Sequence, residues 1–216
     1  MASEALRAEK CGCLFEGKKV LRRCLQHGAR LPLQGSGVVL VNPKYVRNVG
    51  GVLRTCSCTG IDNLLWTGKR VNPHDYDRLP REERMRGYAD VQWGTSDKPL
   101  DLFEPGITPV AIEVVENAEP LNDFIHPDRG VYLFGPEDGS IPQVYRALCH
   151  RFIKIPAYHC FNLSVAVGIV GIVLTHRLCQ RITMGIQDPV TVGQAELRGY
   201  EHHDTDVIEQ IGWDPQ

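Results

Sequence analysis

The residues of this chain best suited to chemistry fall where its hydrophobic runs stop. Asn48 and Arg54 follow the run at 38–41, Glu113 lies in the run at 110–114, and the turn Gly-Pro-Glu-Asp-Gly at 135–139 follows residues 131–134. Pro156 stops the run at 151–155, and Asn162 and Ser164 come just after it. If these runs are parallel strands, the four turns converge on one crevice beyond their carboxyl ends. An amide, a guanidinium, carboxylates and a hydroxyl set among glycines suit ligand recognition by hydrogen bonding and by backbone amides. The zincin helix, the phosphate-cradling loop, the dinucleotide fingerprint and the nucleophile elbow are all absent, which argues against metalloproteases, nucleotide hydrolases, dinucleotide dehydrogenases and serine hydrolases.

Each residue also has a plainer reading. Asn48 fits a helix cap as well as a site hydrogen-bonder, Arg54 fits a solvated helix face, and Glu137 fits an exposed turn acid. Gly50 and Gly51 would admit a substrate backbone beside Arg54. Gly135 and Gly139 are expected at positive φ in a turn that presents amides. Cys11, Cys13, Cys24 and His27 are four possible tetrahedral zinc ligands, but the C-x-C spacing is uncommon and Cys24 also fits a basic helix, so no metal is expected.

The elements that must position these groups follow from periodicity. Residues 38–41 form a continuous β-branched run of the kind buried on both faces of a parallel sheet. Residues 64–66, 91–93, 110–114, 131–134 and 152–155 supply further strands, with a helix over 48–58 and another over 162–174. The alternation predicts an α/β fold with a mainly parallel sheet. The domain organisation expected is a helical extension over 1–35, a main domain over 36–184 and an acidic tail over 185–216. Residues 69–88 read as a long polar excursion of the sort that forms binding loops. The apolar helix from 165 on, with Gly168 and Gly171, is expected to be buried all round, partly by a second subunit.

Composition bounds the rest. The chain has 216 residues, 43% of them hydrophobic and 23% charged, as a globular protein does. Its longest apolar run is ten residues, well under the roughly 20 needed to cross a bilayer, and its first thirty residues lack a signal-like core. A cytoplasmic protein with reduced thiols is expected. The net charge of −2 is uneven: residues 185–216 hold seven acids against one base, Arg198, so the remainder carries +4. Its basic concentrations, at 18–30 and at Arg78, Arg81, Arg84 and Arg86, are compatible with a polyanion partner.

Three segments in order make the reading specific. NPKYVRNVGGVLRTCSCTGIDNL, FGPEDGSIP and IPAYHCFNLSVAVG resemble the three motifs of the SpoU (TrmH-like) family of SPOUT RNA 2′-O-ribose methyltransferases, with an asparagine six residues before an arginine and an Asn-Leu-Ser core. The resemblance spans roughly residues 38–180. It implies a Rossmann-like fold ending in a deep trefoil knot, a homodimer, S-adenosylmethionine as cofactor, and a ribose 2′-hydroxyl of tRNA or rRNA as acceptor. It assigns Arg54, Asn48, Glu137, Asn162 and Ser164 to the reacting groups, and Glu113, Phe134, Gly135, Gly139, Ile155, Leu163, Ser164 and Ala166 to the cofactor. Cys160 departs from the serine common in the family at that place, and a thiol is the weaker hydrogen-bond donor. The readings set against this are an RNA- or cofactor-binding protein of the same fold without turnover, and methylation of a base.

Overall fold

Three short strands, β1 (Leu6–Arg7), β2 (Leu14–Glu16) and β3 (Arg23–Cys24), pair antiparallel in the order β1-β2-β3. β3 is a strand within the stretch expected to be helical: its pairing with β2, Phe15 opposite Cys24 and Glu16 opposite Arg23, overrides a local helical pattern that is only a weak preference. The computed structural model describes residues 6–7, 14–16, 23–24, 33, 35–76, 78–80 and 91–183. Cys11, Cys13, His27 and the arginines at 81, 84 and 86 lie outside the described residues, as does the acidic tail.

Seven parallel strands form the main sheet: β4 (Gly37–Leu40), β5 (Asn63–Trp66), β6 (Gln92–Thr95), β7 (Thr108–Ile112), β8 (Glu119–Pro120), β9 (Gly130–Phe134) and β10 (Arg151–Lys154). Their order is β6-β5-β4-β9-β7-β10-β8, and every pairing is parallel. The two-residue strand β8 has no sequence signal of its own. It lies at the sheet edge, where Pro120 removes no interior ladder bond.

The period-two alternation of the strands divides the core between two faces. Val38, Leu40, Leu64, Trp66, Tyr132 and Phe134 meet helices α1 (Val46–Thr59) and α4 (Leu163–Thr183) through Val49, Val52, Leu53, Val167 and Val170. Val39, Val41, Leu65 and Leu133 face the other way, onto Leu33, Phe103, Ile141 and Phe152. Strands buried on both faces account for the run of valines and leucine at 38–41, all four buried. Two short helices, α2 (Pro73–Tyr76) and α3 (Gln143–Arg146), decorate the loops.

Helices α1 and α4 lie side by side and run in the same direction. Gly51 touches Ser164 near their starts, and Gly171 touches Thr59 further along, where Thr175 Oγ1 also donates to the Thr59 carbonyl at 2.9 Å. The close approach expected of Gly171 is therefore met within the chain, while Gly168 faces open space. So does part of α4: Val165 is 48% exposed and Ile172 65%. One chain does not bury this helix all round. Among the described residues no helix is long and apolar enough to cross a membrane.

At the amino ends of the strands, the Asp62 carboxylate accepts the Ser36 N–H at 3.3 Å. Burial pushes this carboxyl up to about 6, because the charged form loses hydration. A raised acid pKa favours the protonated folded state, so the stability is full below the unfolded value near 4 and lost as pH rises through about 6. Asp62→Asn keeps the acceptor and removes the charge. Thermal melts are expected to show it a few degrees more stable at about pH 8 and little changed at about pH 4.

Candidate active site

A row of side-chain hydrogen bonds joins three segments at the carboxyl ends of the strands. Glu137, in the turn after β9, accepts the Lys44 N–H at 2.7 Å and the Tyr45 N–H at 3.4 Å. Its Oε1 also accepts Asn48 Nδ2 at 2.6 Å. Asn48 Oδ1 accepts Asn162 Nδ2 at 3.1 Å, and Asn162 Oδ1 accepts both the backbone N–H and the Oγ–H of Ser164, at 2.9 and 2.8 Å. Bonded partners in the row lie up to 114 positions apart, and each amide has one orientation consistent with its neighbours.

The row has a direction. Every donor points toward the Glu137 carboxylate, so the Ser164 hydroxyl gives its proton to Asn162 and offers lone pairs to an approaching group. Asn162 is also the residue just before α4, and its side chain caps that helix. Asn48 is not a cap: α1 begins at Val46 after an uncapped Tyr45, which leaves the Asn48 amide free to link Glu137 to Asn162. Gly50 and Gly51 do not open a path for a substrate backbone. Gly50 is buried, and a Cβ on Gly51 would stand 2.9 Å from Ser164 Cβ, so what Gly51 admits is the start of α4.

Beside this row lies a crevice of about 780 Å³, bounded by the ends of β7, β9 and β10 and by the start of α4. Glu113, Phe134, Gly135, Gly139, Ile155, Leu163 and Ala166 line it, together with Asn48, Glu137 and Asn162. Apolar walls beside turn backbone and amide side chains fit a ligand with a flat ring and a polar tail. Glu113 Oε2 accepts the Ile141 N–H at 2.8 Å, so it braces the far end of the loop as well as facing the crevice. Neither Gly135 nor Gly139 has positive φ. Gly135 is needed for space instead, since a Cβ there would come within 3.2 Å of the Ile141 nitrogen.

Arg54 stands exposed on α1, outside the crevice lining, and Ser164 lies behind Asn162. Arg47 lines the crevice and precedes Arg54 by two turns on one stripe of α1. Cys160 is exposed at the rim. Arg47, and the pairing of Arg70 with Asp138 at 2.9 Å, escaped sequence reasoning: the one looks like any helix arginine, and the partners of the other are 68 residues apart.

The profile of the SpoU rRNA methylase family matches residues 36–172. The chain belongs to this family. Solved structures carry the same fold at low identity. A TrmH/SpoU tRNA modifying enzyme of A. aeolicus is 21% identical with a TM-score of 0.59, over 72% of this chain and 79% of that one. The SpoU methyltransferase AviRb of Streptomyces viridochromogenes, solved in complex with AdoMet, is 16% identical with a TM-score of 0.59, over 69% and 60%. An rRNA methyltransferase from Sinorhizobium meliloti, solved with AdoMet bound, is 18% identical with a TM-score of 0.59, over 68% and 59%. This chain thus spans about three fifths of the length of the last two. No curated protein matches it.

The α1–α4 contact sets the Ser164 end of the row, so Gly51→Ala is expected to lower stability by about 1–3 kcal/mol as the added methyl forces the helices apart. Urea unfolding measures this. A variant as stable as the parent would show that the contact relaxes freely.

Proposed function

We propose that this chain transfers a methyl group from S-adenosylmethionine to a ribose 2′-hydroxyl of tRNA or rRNA, and that it works in the cytoplasm as a homodimer. The observation that carries the reading is the hydrogen-bonded row from Glu137 to Ser164, whose members Glu137, Asn48 and Asn162 line one crevice together with Glu113, Phe134, Gly135, Gly139, Ile155, Leu163 and Ala166, which family resemblance assigns to the cofactor. Membership of the family and the AdoMet-bound neighbours support the cofactor. A site unit of residues 36–184, with the deep trefoil knot in its last third, belongs to the same reading, as does a separate acidic tail.

When bound in the crevice, S-adenosylmethionine supplies a methyl already activated by its sulfonium. What remains for the protein is positioning. Ser164 Oγ accepts the hydrogen bond of the incoming 2′-hydroxyl and aims its oxygen, and the proton that the hydroxyl loses on methylation passes to water. The Arg54 guanidinium holds a phosphate flanking the target ribose, with Arg47 two turns earlier on the same helix stripe for the adjoining backbone. Ile112, Phe134, Ile155, Leu163 and Ala166 wall the adenosine, and Glu113 and the turn at 135–139 hold that wall in place.

The homodimer reading rests on α4. Val165 and Ile172 are 48% and 65% exposed and lie two turns apart on one stripe of the helix, which a second copy would cover.

Incubation with total RNA and methyl-labelled cofactor tests the activity, and nuclease digestion tests the acceptor, because a 2′-O-methyl group blocks cleavage at its linkage. Label in RNA within resistant dinucleotides is expected. Cofactor binding without label would favour the reading without turnover, and label in nuclease-sensitive nucleotides would favour base methylation. Arg54→Ala is expected to bind cofactor normally and lose about 100-fold or more in transfer rate; full transfer by this variant removes Arg54 from the mechanism. Sedimentation equilibrium is expected to show a dimer at micromolar concentration, and a monomer for Ile172→Asp.

A further inference from the structure

Adjacent carboxylates in the turn after β9 have different partners. Glu137 takes the start of α1, while both oxygens of Asp138 accept Arg70 Nη1, at 3.0 and 2.9 Å. Lys44 Nζ stands 3.4 Å from the same carboxylate. Arg70 does not stop there. Its Nε donates to the Asn42 carbonyl at 3.1 Å, and its Nη2 reaches that oxygen too.

Asn42 opens the turn that leads into α1. Its φ is +50°, in the left-handed region that asparagine enters more readily than other side-chain-bearing residues. Its N–H donates to Thr67 Oγ1 at 3.0 Å, on a threonine that is 3% exposed. At Gly68, the next residue, a Cβ would come 2.2 Å from Asn42 Oδ1. The loop after β5 is therefore built around the loop after β4, and Arg70 extends it to the loop after β9. A single guanidinium grips the turn before α1, which carries Asn48, and the turn that carries Glu137.

We infer that Arg70, through Asp138 and the Asn42 carbonyl, is a positioning residue that sets the Glu137–Asn48 contact and with it the row to Ser164. This rests on the methyltransferase reading above. Stability is not an adequate account of the cluster: Arg70 is 32% exposed and Asp138 45%, and ion pairs open to water add little to folding. Their geometry constrains far more than their energy, because one planar fork meets acceptors on two loops and fixes the spacing between them. A lysine has one point of charge and reaches only one of the two.

The test compares Arg70→Ala, Arg70→Lys and Asp138→Asn with the parent. Arg70→Ala is expected to keep its melting temperature within about 2 °C and its RNA KM within about 3-fold, and to lower kcat about 10-fold or more. Arg70→Lys should fall between it and the parent, and Asp138→Asn should follow Arg70→Ala. Independently of turnover, the side-chain amide resonances of nitrogen-15-labelled Asn48 should shift in Arg70→Ala, since the hydrogen bond to Glu137 is disturbed. Unchanged kcat with unchanged Asn48 resonances overturns the inference. A raised KM for RNA at constant kcat overturns it as well, and makes Arg70 an RNA contact. If the parent transfers no methyl group, the proposed function fails, and the Asn48 resonances alone decide the positioning role.

Discussion

The site depends on one carboxylate held by the main chain. Glu137 accepts the Lys44 and Tyr45 N–H groups just where α1 begins, and these are donors that the helix cannot satisfy from within. The same carboxylate orders Asn48, which orders Asn162, which orders Ser164. Each bond in the row fixes the orientation of the next amide, and breaking one link frees its neighbours to turn. The turn after β9, the start of α1 and the start of α4 thus behave as one unit.

The sheet makes this unit possible. Seven parallel strands bring the ends of β4, β7, β9 and β10 to one edge, and the parallel α1 and α4 bring two helix starts to the same edge. The small residue Gly51 then sets how near those helices come. Burial of both sheet faces supplies the stability, and the loops beyond the strand ends are left for the chemistry.

What was legible in the sequence follows from how local each signal is. The runs at 38–41, 64–66 and 131–134 announce strands because a strand buried on both faces needs apolar residues at every position, and the polar turns after them mark the crevice edge. Asn162 and Ser164 are assigned to the reacting groups by family resemblance alone, and that the first caps α4 and holds the hydroxyl of the second is seen only in the structure. The link from Glu137 to Asn48 crosses 89 residues, and only family resemblance brought the two together. Nothing local tells that Asn48 bridges rather than caps, that Gly51 makes room for Ser164 rather than for a substrate, or that Arg70 meets Asp138. At 23–24 a strand stands where helical spacing predicts a helix, because local spacing is a weak signal and the pairing that overrides it comes from residues 15–16, outside the basic stretch. The stripe on α4 reads as buried from its composition, since composition does not separate a core face from an apolar face left exposed.

The bonds from positions 44 and 45 to Glu137 are made by peptide nitrogens, not by side chains. As far as those bonds are concerned, Lys44 and Tyr45 can be exchanged for almost any residue, and only proline, which has no N–H, would abolish either one. A contact of this kind leaves no trace in the identity of the residues that make it. Two homologues could therefore differ at both positions and still hold the carboxylate in the same place, so relatedness at this corner of the site is carried by backbone shape rather than by sequence.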